Sequence, residues 1–161
     1  MRKFLVILDN STECLNAMRF AAMRAEKTGA CVEILAVIPP EEFNHWIGVG
    51  EVMREEARDR INAHFEIFGK WMRDKHKVDP ELVIREGKIV TEILAQIKED
   101  QEVDILVLGA GIDRKGPGPI VTQLSKASGS SDVPIVIVPG SLSKEQLEAC
   151  LLYTSPSPRD S

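Results

Sequence analysis

The chain has 161 residues, a formal net charge of -5 and a pI near 5.3. The length fits one domain, and 43% hydrophobic with 28% charged residues is the composition of a soluble globular protein. The acidic balance argues against non-specific nucleic-acid binding, which needs a clustered basic surface. No apolar run reaches the ~18–20 residues of a membrane helix, and the N-terminus MRKFLVILDN turns acidic too early for a signal peptide. We therefore expect a cytoplasmic protein without nucleic-acid or membrane partners.

The first strand and helix are predicted from the N-terminal residues. Lys3 to Leu8 (KFLVIL) is an almost continuous apolar run, typical of a strand covered on both faces, and it ends at Asp9. The next four residues, Asn10-Ser11-Thr12-Glu13, are a helix-start pattern: Asn10 or Ser11 would accept from the free N–H groups while Glu13 reaches back. The helix is predicted to stop at Gly29.

A second strand and a long helix follow. Cys31 to Ile38 is predicted as the strand, ended by Pro39-Pro40. The connection from Glu41 to Gly50 holds Phe43, His45 and Trp46, which could form a ligand wall or fold onto the protein's own core. From about Val49 to Lys77 the pattern is an amphipathic helix, with MREEARDR on its solvated face. Its apolar face is predicted to comprise Met53, Ala57, Ile61, Phe65, Phe68 and Met72.

The second half repeats the alternation of strands and helices. The predicted elements are a strand over Glu81 to Glu86, a helix carrying Ile89, Ile93 and Ile97, a strand over Val103 to Leu108, a helix near Ile120 to Ser128 that starts at Pro119, and a strand over Pro134 to Val138. Between the last two strands, Gly109 to Pro119 is a Gly/Pro-rich loop, where backbone N–H groups gather and an anion could sit. Alternatively, its glycines only make the turn from strand to helix.

Apolar strands that alternate with helices predict a parallel sheet with helices on both faces. Ligands of such sheets bind beyond the carboxyl ends of the strands, at the switch point between the first and fourth strands. This rule places Asp9 next to the glycine loop. Asp9 could equally do no more than hydrogen-bond the turn at residues 10–13.

The cysteines and histidines show no pattern for metal binding or catalysis. Cys14, Cys31 and Cys150 form no CxxC pair, and the three histidines are scattered, so we expect no metal site. No Ser/His/Asp or Cys/His spacing is present, so we expect no catalytic residue and no enzyme activity. A helix dipole could lower the pKa of Cys14. However, Cys14 shares an apolar stripe with Met18, which predicts a buried structural thiol.

The chain from Met1 to about Ala149 resembles the universal stress protein (UspA) family. The residues that carry the resemblance are KFLVILDNS, Ala36-Val37-Ile38, DILVLG before the loop, and VPIVIV at the end. The resemblance implies a three-layer α/β/α, Rossmann-like fold (adenine nucleotide alpha hydrolase-like) with a five-stranded parallel sheet of order 3-2-1-4-5. The GPGP loop and the closing VPGS look like an alphaproteobacterial branch of the family.

The resemblance also implies a candidate ATP site. Nucleotide-binding members carry the loop G-x2-G-x9-G-[ST], an Asp after the first strand and a Val at the end of the second. Asp9 and Val37 match that pair, and Thr122 matches the hydroxyl position. The candidate loop glycines here are Gly109 and Gly111, at the front of the loop, and the extra glycines Gly116 and Gly118.

The loop departs from the family pattern at several positions. One residue separates Gly109 from Gly111, whereas the family pattern has two. The position before Thr122, where the pattern has glycine, holds Val121, whose methyl groups could block a phosphate. Gly116 and Gly118 could form a replacement cradle, completed by Thr122, Arg114 or Lys115, although the prolines after both glycines remove N–H donors. Loss of the motif is the inference we favour.

Two functional hypotheses follow. The first is a non-enzymatic, homodimeric stress-response module with an altered or lost ATP-binding loop and no certain cofactor. The second is an adenine-nucleotide (ATP)-binding universal stress protein that uses the 109–122 loop. The predicted dimer forms through the edge of the fifth strand, Pro134 to Val138, because a short apolar edge is an aggregation hazard unless it is paired.

The last twelve residues, Cys150 to Ser161 (CLLYTSPSPRDS), break abruptly from the helical SKEQLEA before them. They resemble one reading frame of a widely used sequencing-library adaptor. We therefore expect the domain to comprise residues 1–149 and the tail 150–161 to lie outside it.

Overall fold

A computed structural model of the chain describes residues 2–9, 11–40, 49–111, 118–127, 129 and 131–153, with the backbone alone at 49–51, 119 and 151–153. The strands within these residues are β1 (Lys3–Ile7), β2 (Cys31–Ile38), β3 (Glu81–Glu86), β4 (Val103–Ala110) and β5 (Ile135–Pro139). The helices are α1 (Cys14–Thr28), α2 (Val49–His76), α3 (Ile89–Glu99), α4 (Pro119–Lys126) and α5 (Lys144–Tyr153). No described helix combines the length and the apolar character that crossing a bilayer requires.

The strands form one parallel sheet of order β3-β2-β1-β4-β5. This confirms the predicted five-stranded sheet and its strand order. Because β1 lies between β2 and β4, the residues that follow it emerge at the switch point of the sheet. Asp9 is therefore held beside the carboxyl ends of both neighbouring strands.

Two apolar clusters cover the two faces of the sheet and make three layers. On one face α1, α2 and α5 pack over alternate strand residues, of which Phe4, Val6, Ile34 and Val107 are buried. On the other face α3 and α4 pack over the intervening residues, of which Leu5, Ile7, Leu35, Leu106 and Leu108 are buried. Burial of both sets explains why the strands are continuous apolar runs rather than alternating ones.

The boundary of β4 differs from the predicted one in a way that bears on the loop. The strand continues two residues past Leu108, because Gly109 pairs with Val138 and Ala110 pairs with Pro139 of β5. Gly109 is therefore a strand residue rather than the first residue of the loop. The other end of the loop agrees with the prediction, since Pro119 lies in the first turn of α4.

The start of α1 also differs from the prediction. The helix begins at Cys14, and its N-cap residue is Glu13, whose side chain makes no capping hydrogen bond. The hydroxyl of Ser11 donates to Asp9 instead of accepting from the helix. The predicted capping by Ser11 and Glu13 is therefore wrong, and Asn10 lies outside the described residues. At the other end, Gly29 adopts a φ of 76° and caps the helix as predicted.

The long helix α2 buries two of the six residues of its predicted apolar face and half-buries three. Ala57 and Met72 are buried, whereas Met53 remains 37% exposed and Ile67, outside the predicted face, 67% exposed. The aromatic residues predicted for the preceding connection, Phe43, His45 and Trp46, lie outside the described residues. The last helix, α5, continues to Tyr153, past the predicted boundary at Ala149, and the domain boundary itself stays a prediction.

A network of charged and polar side chains, which the apolar pattern of the strands did not predict, joins the amino ends of the strands to α3. Glu33, in the middle of β2, is 2% exposed and accepts from Lys3 Nζ at 3.0 Å. Lys3 also donates to Asp100 Oδ2 at 2.7 Å, and Gln96 Nε2 donates to Glu33 Oε1 at 2.9 Å. The burial of Glu33 is compensated by these partners, as a buried charge requires.

Candidate functional site

A cavity of about 280 Å³ opens at the carboxyl ends of β1 and β2, beneath α2. Asp9 and Val37, the two predicted nucleoside-holding residues, both line it. Ile120, in the first turn of α4, lines the same cavity and brings the helix after the loop to its wall. The position agrees with the switch-point rule for ligands of parallel sheets.

Asp9 forms a turn and keeps one carboxylate oxygen available. Its Oδ1 accepts from the backbone N–H of Ser11 at 2.8 Å and from the Ser11 hydroxyl. No described residue hydrogen-bonds Oδ2. Asp9 is half-buried and lines the cavity, so Oδ2 can accept from a ligand hydroxyl while Oδ1 holds the turn.

Val37 supplies part of an apolar wall. It is half-buried near the end of β2, where it pairs in register with Arg85 of β3. Ile89, at the start of α3, and Ile120 complete the apolar side of the cavity. A wall of this kind suits the flat apolar face of a heterocyclic base.

The loop glycines that the structure describes do not join Asp9 and Val37. Among the described residues, Gly109, Gly111 and Gly118 are absent from the cavity lining, and Gly116 lies outside the described residues. Gly109 instead faces the start of α1: a Cβ there would lie 2.4 Å from the carbonyl oxygen of Glu13. Gly118 is the N-cap residue of α4 with a φ of 106°, a conformation that favours glycine. Both glycines thus have a structural role.

The two residues at the end of the loop motif are engaged in packing and in helix formation. Val121 is 5% exposed and belongs to the apolar cluster that contains Leu108 and Leu124. Its methyl groups therefore point into the core. The backbone N–H and the hydroxyl of Thr122 both donate to the Gly118 carbonyl, at 3.1 and 2.9 Å. The Thr122 hydroxyl is thus occupied within the first turn of α4, and it does not line the cavity in the described part of the chain.

The polar wall of the cavity comes from α2, which sequence reasoning did not select. Arg60 and His64 line the same cavity as Val37, although the sequence had assigned Arg60 to the solvated face. A signal was available: both residues lie on the same helical stripe as the apolar Ala57 and Ile61. A second depression of about 370 Å³ shares Asp9 and His64 with the first and extends it toward α1.

The structure places no reactive thiol at the site. Burial raises the pKa of the Cys14 thiol to about 12, and its Sγ donates to the Ile7 carbonyl at 3.5 Å. The prediction of a buried structural thiol is confirmed. The described residues contain no group of three or more His, Cys, Asp or Glu side chains placed to hold a metal ion.

Solved structures with this fold support the architecture. The universal stress protein UspA from Lactobacillus plantarum superposes with a TM-score of 0.73 at 16% identity, covering 85% of this chain and 97% of the other. A universal stress protein in complex with cAMP superposes with a TM-score of 0.57 at 21% identity, covering 85% of this chain and 96% of the other. The Archaeoglobus fulgidus universal stress protein in complex with dAMP superposes with a TM-score of 0.57 at 15% identity, covering 86% of this chain and 98% of the other.

A sequence comparison with curated proteins gave no match. Family models gave one that spans most of the domain. Residues 1–139 match the model of the Universal stress protein family, and on this match the chain belongs to that family.

Proposed function

We propose that this universal stress protein is a non-enzymatic, homodimeric stress-response module whose ATP-binding loop is altered or lost. The observation that carries the proposal is the packing of Val121 and Thr122. The residue at the family's glycine position is buried in the core, and the hydroxyl that would face a phosphate donates to Gly118. We expect a cytoplasmic protein that acts through protein contacts. Its placement in the alphaproteobacterial branch rests on the GPGP and VPGS sequences and stays a prediction.

Isothermal titration with ATP tests the altered loop. We expect no saturation at micromolar ATP, and purified protein that releases no ATP on denaturation. Thr122→Ala serves as the matched variant, because it removes the hydroxyl while Val121 stays in the core. Micromolar saturation that disappears in Thr122→Ala would overturn the proposal, since the loop would then hold the phosphates.

The proposed dimer interface is the free edge of β5. In the described sheet β5 pairs with β4 alone, and Ile137 on this strand is 44% exposed. An unpaired apolar edge can be covered by the same edge of a second copy. Light scattering is expected to give twice the 17.9 kDa chain mass.

Ile137→Lys should give the monomer mass, because like charges would meet across the two-fold axis. Ile67→Lys is the matched control: it also replaces an exposed isoleucine, but on α2, and it should leave the dimer intact. A monomeric parent, or dissociation by both variants alike, would contradict the β5 interface.

A second candidate function is adenine-nucleotide binding, and the cavity that contains Asp9 and Val37 favours it. The cAMP and dAMP complexes of relatives with this fold support the same candidate. Asp9→Asn tests it well, since an asparagine oxygen can still accept from Ser11 and keep the turn. Titration with adenosine should give weaker binding to this variant than to the parent. Equal binding would argue against the cavity.

A further inference from the structure

The side of α2 that faces the end of β2 carries two basic residues, although the side of a helix that faces the core is usually apolar. Ala57 is buried against Ile38, and Ile61 packs beside them, so this part of the helix is anchored over the end of β2. Arg60 and His64 follow Ala57 by three and seven positions, which places them on the same side of the helix. The anchoring of Ala57 thus fixes where both side chains emerge, at the cavity.

The other arginines of α2 with described side chains have carboxylate partners. Arg54 and Arg58 pair with Glu86 at 3.0 and 2.9 Å, and Arg73 pairs with Asp79 at 3.2 Å. Among the described residues, neither Arg60 nor His64 has an ion-pair or hydrogen-bond partner. Within that part of the chain, their donors are therefore available to an anion that enters the cavity.

The volume of the cavity limits the size of the ligand that can carry the anion. At about 280 Å³ it lies just below the usual range for ligand pockets, about 300–1,000 Å³. Its sides differ in chemistry: Val37 and Ile120 are apolar, Asp9 accepts, and Arg60 with His64 donates. This combination matches a base, a ribose hydroxyl and one phosphate group.

We infer that Arg60 and His64 bind the phosphate of an adenine nucleoside monophosphate, a contact that the family resemblance would assign to the glycine loop. The inference rests on the second candidate function, nucleotide binding at the Asp9 and Val37 cavity. The guanidinium of Arg60 can bind two phosphate oxygens at once, and the imidazole of His64 adds one further donor.

The test compares AMP with adenosine by isothermal titration, because the two ligands differ only in the phosphate. We expect AMP to bind the parent about tenfold more tightly than adenosine, the effect of a charge-assisted contact. Arg60→Gln should remove most of this difference and leave adenosine binding unchanged, and His64→Gln should reduce it. The matched control is Arg73→Gln on the same helix, which should keep the full difference. Both cavity side chains are exposed, so these variants should keep the parent's thermal unfolding.

Each outcome is decisive. Equal binding of AMP and adenosine by the parent, or an Arg60→Gln protein that binds AMP as the parent does, overturns the inference while nucleoside binding stands. If neither ligand binds the parent, nucleotide binding itself fails and the inference fails with it. A phosphate-dependent gain that is lost in Arg60→Gln but retained in Arg73→Gln supports the assignment.

Discussion

Gly109→Ala tests whether this glycine serves packing rather than a ligand. The added Cβ would lie 2.4 Å from the Glu13 carbonyl oxygen and 2.7 Å from the carbonyl carbon, closer than carbon atoms in proteins approach. Both contacts are to backbone, so no side chain can rotate away. Relief requires that the start of α1 move off β4. We expect a loss of about 3 kcal/mol in the free energy of unfolding, at the upper end of overpacking effects.

Urea unfolding followed by circular dichroism measures this loss, and a thermal scan should show a melting temperature lower by roughly 6–12 °C for a domain of this size. Gly129→Ala is the matched control, because nothing lies within 4 Å of its added Cβ. The control should remain within about 0.5 kcal/mol of the parent. If Gly109→Ala proves as stable as Gly129→Ala, α1 does not pack on β4 as described and the structural role of Gly109 is refuted.

The remaining predictions concern the charged network and the buried thiol. The Lys3 ammonium holds the pKa of Asp100 below its ordinary 3.8, so the stabilisation is present above that value and is lost as pH falls through the folded-state pKa. Asp100→Asn should therefore cost about 1–3 kcal/mol at neutral pH in urea unfolding, and this cost should shrink progressively as the pH is lowered below 3.8, the ordinary pKa of this carboxyl. Asp79→Asn, in an exposed pair, should change little. A cost that does not depend on pH would contradict the linkage. For the thiol, the parent and Cys14→Ala should show equal labelling by a thiol reagent at about pH 8 when folded and differ by one thiol when unfolded. Rapid labelling of Cys14 in the folded protein would show that the thiol is not buried.

Local patterns were sufficient to predict the strands, the helices and a parallel sheet. The observed β2 and β3 have the predicted bounds, Cys31–Ile38 and Glu81–Glu86. Both are apolar-rich runs limited by proline or glycine, which are strong local signals for strand ends. Their alternation with helices restricts the sheet to a few right-handed topologies. The order found belongs to this set and is the one that the family resemblance implied.

What the sequence did not reveal depends on contacts between distant segments. The extension of β4 through Gly109 exists because β5 supplies the partners Val138 and Pro139. The buried Glu33 is acceptable in an apolar strand only because Lys3 and Gln96 reach it. Neither relation has a signature in the local residues, because both depend on how the sheet assembles.

The sequence predicted the part of the candidate site that lies at the strand ends, but not the part that depends on how the helices pack. Asp9 follows from the end of a predicted strand and Val37 from the family resemblance, and both line one cavity. The direction in which the side chains of Val121 and Thr122 point depends on how α4 packs on the sheet. At Val121, burial of a valine side chain contributes about 1.5–3 kcal/mol, a contribution that a glycine at this position would not make. The substitution that departs from the family's phosphate-binding pattern thus also completes the core beside Leu124. Packing is therefore a sufficient reason for a valine at this position, and among the described residues α2 contributes the basic side chains that line the cavity, Arg60 and His64.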